Sequence, residues 1–491
     1  MSMNTGKIRY NIIDPNSTSA DGVFSFEGGN TNITFNIAQS ESEFLHGDSV
    51  KLCCELVLKD GSDVVVSADE VRLSMAVGIH GLVSQVDTHS YETNSAISST
   101  RVYNRLTSTI IGNGMADLND VASSQSHAGV GTSNDYMNTN VGVYPSASVD
   151  SNTSVIDGLK QSYCMRVLTG SLMGTKYYLG SVVNNGIGGV KLNFTLSPDS
   201  NALTTIRTAD SGYKYELSNV KLVYITEVGT EQEIKANRLK SDWSSKYVDM
   251  VRNTENRSVS RQEIDDNFSK VSDMAQSNPA QYNYRDFNGY LNTIASDSHN
   301  LSVNLGLKSV NSVFVNFVPS SYINSTTAKY DGNRQYPILD TDQDIIPFSR
   351  ITQTKGSELY PQKYTQTTNA DVNFTGTNLD NTMDRRAETK KNYLDSVVPY
   401  SSNDYQRSAV FNSLYPQQYS LNVNTDTLAG LYGIGTGRLS VLDGNADYQF
   451  NPYGAQIDSQ NNNTFQNTTG FIFAQYDASV SINNAVISVA N

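Results

Sequence analysis

Apolar residues in the first half of the chain fall in short runs that are separated by Gly, Asn, Ser and Asp. Alternating or continuous apolar runs of this length, bounded by turn residues, are typical of β-strands. No helical pattern lies between successive runs, so they predict an antiparallel sandwich or jelly roll and not a parallel sheet. The predicted strands are residues 33–37, 50–59, 81–88, 163–168, 177–183, 190–196 and 217–226.

The second half has a similar arrangement, in which long strands, a large polar insertion, more strands and a closing strand follow one another. Its predicted strands are residues 301–307, 309–318, 470–476 and 478–489. The last of these turns at Asn483 and Asn484. Polar stretches of this length inside a compact domain are usually functional or disordered, so we expect loop insertions. The predicted loops are 113–152, 320–344 and 366–380.

A charged segment at 231–275 separates the two halves and carries the clearest helical pattern in the chain. Its apolar residues recur every three to four positions, which places each set on one face of a helix. Ser260 and Glu263 can form a capping box ahead of the second set. The two sets are Leu239, Trp243, Tyr247 and Met250, and then Ile264, Phe268, Val271 and Met274.

An abrupt change of composition in mid-chain usually marks a connection between two domains. We therefore assign one β unit to 1–230, a helical connector to 231–297 and a second β unit to 298–491. Each unit is long enough to bury its own core. The two apolar stripes of 231–275 predict that the connector packs against both units and fixes the angle between them.

Composition supports a folded chain with long polar loops. Hydrophobic residues make up 38% and charged residues 17%, both below the usual share for a soluble protein. The 29 Tyr and 16 Phe exclude a disordered chain, which would be poor in aromatic residues. The net charge of −14 argues against an electrostatic grip on nucleic acid, since phosphate binding requires Lys and Arg. The nearest basic patch, Arg385 and Arg386 with Lys390 and Lys391, is better explained as a solvated helix face.

The cysteines and the N-terminus indicate where the protein is made. Cys53, Cys54 and Cys164 form neither a disulfide framework nor a zinc-binding spacing, so we expect buried free thiols in a reducing compartment. The first residues contain no apolar signal-peptide region, and no apolar run approaches 18 residues. The sequence therefore predicts neither secretion nor membrane insertion.

Candidate catalytic and metal-binding residues do not cluster along the chain. The histidines occur without an HExxH or HxH pattern and without a carboxylate at metal-ligand spacing. They are His46, His80, His89, His127 and His299.

Two further segments resemble known binding motifs but lack features that those motifs require. The acidic segment 340–344 resembles the start of an EF-hand loop, but Ile345 and Ile351 occupy the places of the required Gly and Glu. A looser cation site there stays open. The glycine-rich segment 433–437 leads into a predicted strand, so a tight bend is favoured over a phosphate-binding loop. We predict no catalytic, no cofactor-binding and no metal-binding residues.

Several segments, taken in order, resemble the double jelly-roll major capsid proteins of virophages and polinton-like viruses, in the lineage that includes adenovirus hexon. Each segment alone is only a strand with a turn, and their order over nearly the whole chain gives the resemblance its weight. The segments are GIHGLVSQVD (78–87), RVYNR (101–105), YLGSV (178–182), GVKLNFTLSP (189–198), YELSNVKLVY (215–224), LKSVNSVFVNF (307–317), GLYGIGTGRLS (430–440) and YDASVSI (476–482).

The resemblance implies an all-β fold of two tandem eight-stranded jelly rolls joined by a short helical connection, with long loop insertions. It implies a homotrimer whose six rolls form a pseudo-hexagonal capsomer, and capsomers that tile the icosahedral shell of a double-stranded DNA virus. The implied partners are other copies of the chain, neighbouring capsomers, penton and minor capsid proteins, and a host surface through the outer loops. Direct sequence-specific binding of nucleic acid is not expected. The implied location is the virion, after assembly inside the host cell.

Two other functions compete with this interpretation. A trimeric attachment protein, such as a fibre or spike that binds a receptor or glycan, explains the strands and the Tyr content. It also predicts a shaft-like repeat or a coiled coil, and neither pattern is visible. An enzyme on a β-sandwich needs a clustered catalytic set, and none is evident, although a carboxylate pair assembled from distant strands stays open. The sequence favours a structural protein without enzymatic activity.

Overall fold

The described part of the chain is built mainly of β-strands, so the predicted all-β class is confirmed. The computed structural model describes residues 7–17, 22–66, 71–73, 78–110, 161–205, 212–230, 234, 280–294, 301–304, 310–319, 348–355, 358–366, 447–454, 468–483 and 486–490.

The strands of the first half are β1 Lys7–Ile13, β2 Asn32–Ile37, β3 Glu43–Lys59, β4 Val71–Leu73, β5 Val83–Ser90, β6 Ala96–Arg101, β7 Gln161–Arg166, β8 Lys176–Tyr178, β9 Val190–Leu196, β10 Leu203–Thr205 and β11 Lys214–Val228. Among the described residues, helices occur at α1 Tyr103–Ile110 and α2 Asp199–Ala202, and short 3-10 turns occur at Gly78–Leu82 and Val182–Asn184. The strands of the second half are β12 Ala280–Ile294, β13 Leu301–Asn304, β14 Val310–Pro319, β15 Phe348–Lys355, β16 Glu358–Gln366, β17 Asp447–Gly454, β18 Thr468–Asn483 and β19 Val486–Ala490.

Eight strands of the first half form two antiparallel sheets, in the orders β1-β11-β3-β7 and β2-β9-β5-β6. The chain moves from one sheet to the other as it progresses, which is the connectivity of a jelly roll. Strand β8 pairs with the first part of β3, and β4 pairs with β10 outside the two sheets. This unit is called the first roll below.

The core of the first roll follows from strict alternation of apolar and polar residues. On β9, Val190, Leu192, Phe194 and Leu196 are buried while the residues between them are half-buried. Successive side chains of a strand point to opposite faces, so this pattern places one face of the sheet in the core. Phe35 of β2 meets Phe194 edge to face, with ring centroids 6.0 Å apart.

The second half repeats the topology of the first. Its sheets have the orders β12-β18-β14 and β13-β17-β15-β16, and β19 pairs with the end of β18. The position of each strand in its sheet matches β12 with β1, β18 with β11, β14 with β3, and β16 with β6. The counterpart of β7 would fall between β16 and β17, outside the described residues. This unit is called the second roll, and the predicted architectural duplication is confirmed for the described strands.

Most strands predicted from alternation are present, but three expectations need correction. Residues 177–183 do not form one strand, because Glu92 accepts a hydrogen bond from the backbone N–H of Val182 at 2.8 Å and the chain turns there. Strand β18 continues through Asp477 where two separate strands were expected. Residues 280–294, assigned to the helical connector, form β12.

The remaining predictions lie mostly outside the described residues. The two apolar stripes of 231–275, the loops 113–152 and 320–344, and all but the first residue of the loop 366–380 belong to this group. The boundaries of the predicted domains therefore stay predictions, apart from the correction at β12. The segment 101–105, which carries part of the family resemblance, spans the end of β6 and the start of α1.

The expectation of three free thiols is wrong for two of the cysteines. Cys53 on β3 and Cys164 on β7 are register partners, their Cα atoms are 4.1 Å apart, and they form a disulfide. Sequence spacing cannot reveal this pair, because it depends on which strands become neighbours. Cys54 points to the opposite face, is buried and is free, and burial raises the pKa of its thiol to about 12.

Counting thiols in the denatured protein tests this assignment. We expect one reactive thiol per chain before reduction, from Cys54, and three after reduction. A Cys54→Ser variant serves as the control and should give none before reduction and two afterwards. Three reactive thiols in unreduced, denatured wild-type protein would contradict the pairing of Cys53 with Cys164.

Candidate functional site

The two rolls meet where the edge strand β6 of the first lies against the edge strand β12 of the second. The buried hydroxyl of Tyr284 donates a hydrogen bond to the carbonyl oxygen of Ile97 at 2.8 Å. Gly289 lies so near β6 that an added Cβ would be 2.8 Å from the carbonyl oxygen of Arg101. The second roll is therefore held close to the main chain of the first, at a contact that we call the junction.

Aromatic and cationic side chains extend the junction towards both ends of β12. The rings of Tyr177 and Tyr282 are 5.2 Å apart between centroids. The guanidinium of Arg105, on α1, lies 4.8 Å from the centroid of the Phe471 ring on β18, within the range of a cation–π contact. Residues 471–476 are all buried, so both faces of this part of β18 are covered.

A carboxyl group lies inside this contact. Asp286 of β12 is 1% exposed, and its Oδ1 accepts a hydrogen bond from the backbone N–H of Phe287 at 2.9 Å. The hydroxyl of Tyr476 lies 3.5 Å from Oδ2. Burial disfavours the charged form and raises the pKa of Asp286 to about 6, against the effect of these hydrogen bonds. The junction thus contains a group that changes charge in the weakly acidic range.

Gly170 of the first roll lies close to the main chain at Asp286. A Cβ built on Gly170 would overlap the carbonyl oxygen of Arg285 and the Cα of Asp286, which are both backbone atoms. Backbone atoms cannot move aside by changing a rotamer, so the position requires glycine for the two rolls to pack.

The first strand presents an apolar face to solvent. Ile8, Tyr10 and Ile12 alternate along β1 and are 58%, 77% and 64% exposed. Of the two residues between them, Asn11 is half-buried, and its side-chain amide donates to Thr226 Oγ1 at 2.9 Å. In the described part of the chain β1 ends its sheet, so this surface combines apolar side chains with a strand edge that no described strand pairs with.

Ion pairs surround this face. Arg9 pairs with Glu43, and Lys221 Nζ lies 2.9 Å from Asp14 Oδ1. Lys176 Nζ lies 2.7 Å from Glu227 Oε2, and this ion pair holds the pKa of the Glu227 carboxyl below its usual value. Exposed pairs of this kind add little to stability. They do neutralise charges that would otherwise oppose burial of the neighbouring apolar face.

The histidines that were weighed as metal ligands have other surroundings. His80 is buried in the core, its Nδ1 is 3.0 Å from the Tyr103 hydroxyl, and burial lowers its pKa to about 3. His46 Nε2 lies 2.9 Å from Glu227 Oε2 at the surface. His127 and His299 lie outside the described residues, as do the acidic segment 340–344, the glycine-rich segment 433–437 and the basic cluster 385–391.

Within the described segments, no group of three or more His, Cys, Asp or Glu side chains is placed to hold a metal ion. No helix in the described part of the chain is long and apolar enough to span a membrane.

Comparison with known proteins shows which solved structures have a similar fold. No protein-family model and no curated protein sequence matches the chain. Solved structures do match it over its whole length. A chain of the Sputnik virophage structure, determined by cryo-EM, covers 100% of this chain over 89% of its own length, with 11% identity and a TM-score of 0.54. The chain has the double jelly-roll fold.

Two PBCV-1 structures are similar to this chain in the same way. PBCV-1 VP54, fitted into a reconstruction of the virophage Sputnik, covers 99% of this chain over 97% of its own length, with 10% identity and a TM-score of 0.50. The chain of the PBCV-1 virus capsid matches with the same coverage, identity and TM-score. The double jelly-roll chain and these structures are therefore alike in extent and fold, although no more than 11% of their residues are identical.

Sequence reasoning missed both surfaces of this double jelly-roll chain. The strand β1 has a visible signal, because Ile8, Tyr10 and Ile12 alternate with polar residues. The junction strand β12 has a weaker one, since Tyr282 and Tyr284 alternate but Asp286 follows where an apolar residue is expected. A buried acid that is covered by another roll looks like a surface residue in the sequence.

Proposed function

We propose that this chain is the major capsid protein of a double-stranded DNA virus. The observation that carries the proposal is the extent of the match: both rolls together correspond to 97% of a chain from the PBCV-1 virus capsid. A shared single roll would fit many unrelated functions, because jelly rolls occur in capsids, lectins and enzymes. Two tandem rolls of matching length favour a capsid subunit over a fibre or spike.

In this role the protein acts by assembly and not by chemistry. Three copies form a pseudo-hexagonal capsomer of six rolls, and capsomers join into an icosahedral shell through many modest contacts whose effects multiply. Penton and minor capsid proteins complete the shell, and the outer loops face the host. The net charge of −14 is consistent with a shell protein that does not bind the packaged nucleic acid directly.

Size measurement of the purified protein tests the proposal. We expect light scattering after gel filtration to give a stable species of three times 53.8 kDa. At high concentration, electron microscopy should show hexagonally packed sheets or closed shells. A protein that stays monomeric at all concentrations, or a trimer that never forms lattices and instead binds or cleaves a glycan, would contradict the capsid function.

A further inference from the structure

The junction joins two edge strands, and each of these strands has an equivalent edge strand in the other roll. Strand β12 begins the second roll and ends its sheet, as β1 does in the first roll. Strand β6 ends the other sheet of the first roll, as β16 does in the second. Among the described strands, the contact of β6 with β12 therefore leaves one equivalent pair of edges without an intrachain counterpart, namely β16 and β1.

Burial differs sharply between the two equivalent strands. On β12, Tyr284 is 7% exposed and Asp286 is 1% exposed, because the first roll covers them. On β1, the outward residue Tyr10 is 77% exposed. The equivalent edge strand is thus covered by a neighbouring roll in one case and exposed in the other.

The bare face of β1 has the composition of a contact surface. Its outward residues Ile8, Tyr10 and Ile12 are apolar or aromatic, and on β11 the outward residues Ile225 and Val223 lie opposite Tyr10 and Ile12. The apolar surface therefore continues across two strands. Contiguous apolar surface beside an unpaired strand edge is uncommon on a monomer and marks an interaction site.

We infer that the outward face of β1 is covered by strand β16 of a second copy of this chain, so that the contact of β6 with β12 is repeated between copies. A second copy is the occupant that fits, because it carries the edge that corresponds to β6. The contact is head-to-tail: each copy uses β1 on one side and β16 on the other. Contacts of this type close into rings when the rotation permits.

This inference rests on the proposed function, and it adds the residues that join the subunits. The first test replaces Tyr10 and Ile12 together with glutamate, since burying two unpaired charges opposes association. We expect at least an about tenfold rise in the dissociation constant of the assembled species, with circular dichroism unchanged. The matched control is Val183→Glu, which changes an apolar residue that is 73% exposed on a turn of the same roll. The control should assemble like the wild type.

Each outcome of this comparison is decisive. If the wild type assembles and the Tyr10→Glu, Ile12→Glu variant assembles equally well, the inference is overturned while the capsid function stands. If the control loses assembly to the same degree, a specific role for β1 is also overturned. If the wild type itself is monomeric, the proposed function fails first.

A crosslinking experiment identifies the strand that covers β1. Tyr10 is replaced by the photoreactive residue p-benzoylphenylalanine, and the assembled protein is irradiated, digested and analysed by mass spectrometry. Peptides that join position 10 to 358–366 of another copy are the expected result. Crosslinks from position 10 to β1 of another copy, or to any other segment, would show a different packing and refute the inference.

Discussion

Replacing Gly170 with alanine is expected to lower the free energy of unfolding by about 3 kcal/mol, at the upper end of typical overpacking effects. The added Cβ overlaps the backbone of Arg285 and Asp286, so the two rolls must separate locally. Separation would also weaken the hydrogen bond from Tyr284 to Ile97, which is 2.8 Å long in the folded protein. Urea unfolding followed by circular dichroism measures the change.

A matched glycine distinguishes this effect from the general effect of adding a methyl group. A Cβ at Gly28 would meet only the side chain of Ser25, which can rotate away, so Gly28→Ala is expected to change stability by less than about 0.5 kcal/mol. Equal stability of the two variants would contradict the role assigned to Gly170.

Hydrogen exchange can show which part of the protein the Gly170→Ala substitution destabilises. Because the junction is a contact between two edge strands, its loosening should open β6 and β12 before the interior of the first roll. Hydrogen exchange in Gly170→Ala should therefore speed up in 96–101 and 280–294 and stay slow in the buried strand β9. Uniform acceleration over the whole first roll would instead indicate that Gly170 acts within that roll.

The first roll was largely predictable because its strands are regular. Strand β9 alternates without exception, and its predicted and observed bounds coincide at Val190 and Leu196. Strand β11 alternates over most of its length, and only its ends were missed. Period-2 alternation carries this information because one face of each strand is in the core and the other is not.

The surfaces that matter for assembly were not predictable for the same reason. Alternation on β1 identifies a strand but not whether its apolar face is buried in the chain or offered to another copy. On β12, Asp286 interrupts the apolar pattern, and its burial depends on Gly170 and Tyr476, which are far away in sequence. The pairing of Cys53 with Cys164 likewise depends on strand register. Local pattern cannot encode contacts that only the complete fold creates.

Replacing Asp286 with asparagine is expected to change how stability depends on pH. Burial raises the pKa of Asp286 from 3.8 to about 6 in the folded chain, so the folded state holds this proton more tightly than the unfolded state does. The resulting stabilisation is complete below about pH 4 and is lost as pH rises through about 6. A shift of about two units corresponds to about 3 kcal/mol.

Asparagine has no charge to bury and keeps an acceptor for the backbone N–H of Phe287. Relative to the wild type, Asp286→Asn should therefore be more stable at pH 8 than at pH 4 by about 3 kcal/mol. Urea unfolding measured at half-unit steps from pH 4 to 8 would give this difference.

The comparison variant is Asp199→Asn in the first roll, because burial also raises the pKa of Asp199 to about 6. Asp199→Asn should reduce the pH dependence of the free energy of unfolding over the same range without altering hydrogen exchange in β12. Asp286→Asn should instead reduce the pH dependence of hydrogen exchange in β12. If the stability curves of Asp286→Asn and the wild type run parallel from pH 4 to 8, Asp286 does not titrate inside the junction. If the difference between the two curves changes by about 3 kcal/mol as expected, weakly acidic conditions strengthen the contact between the two rolls and neutral conditions loosen it.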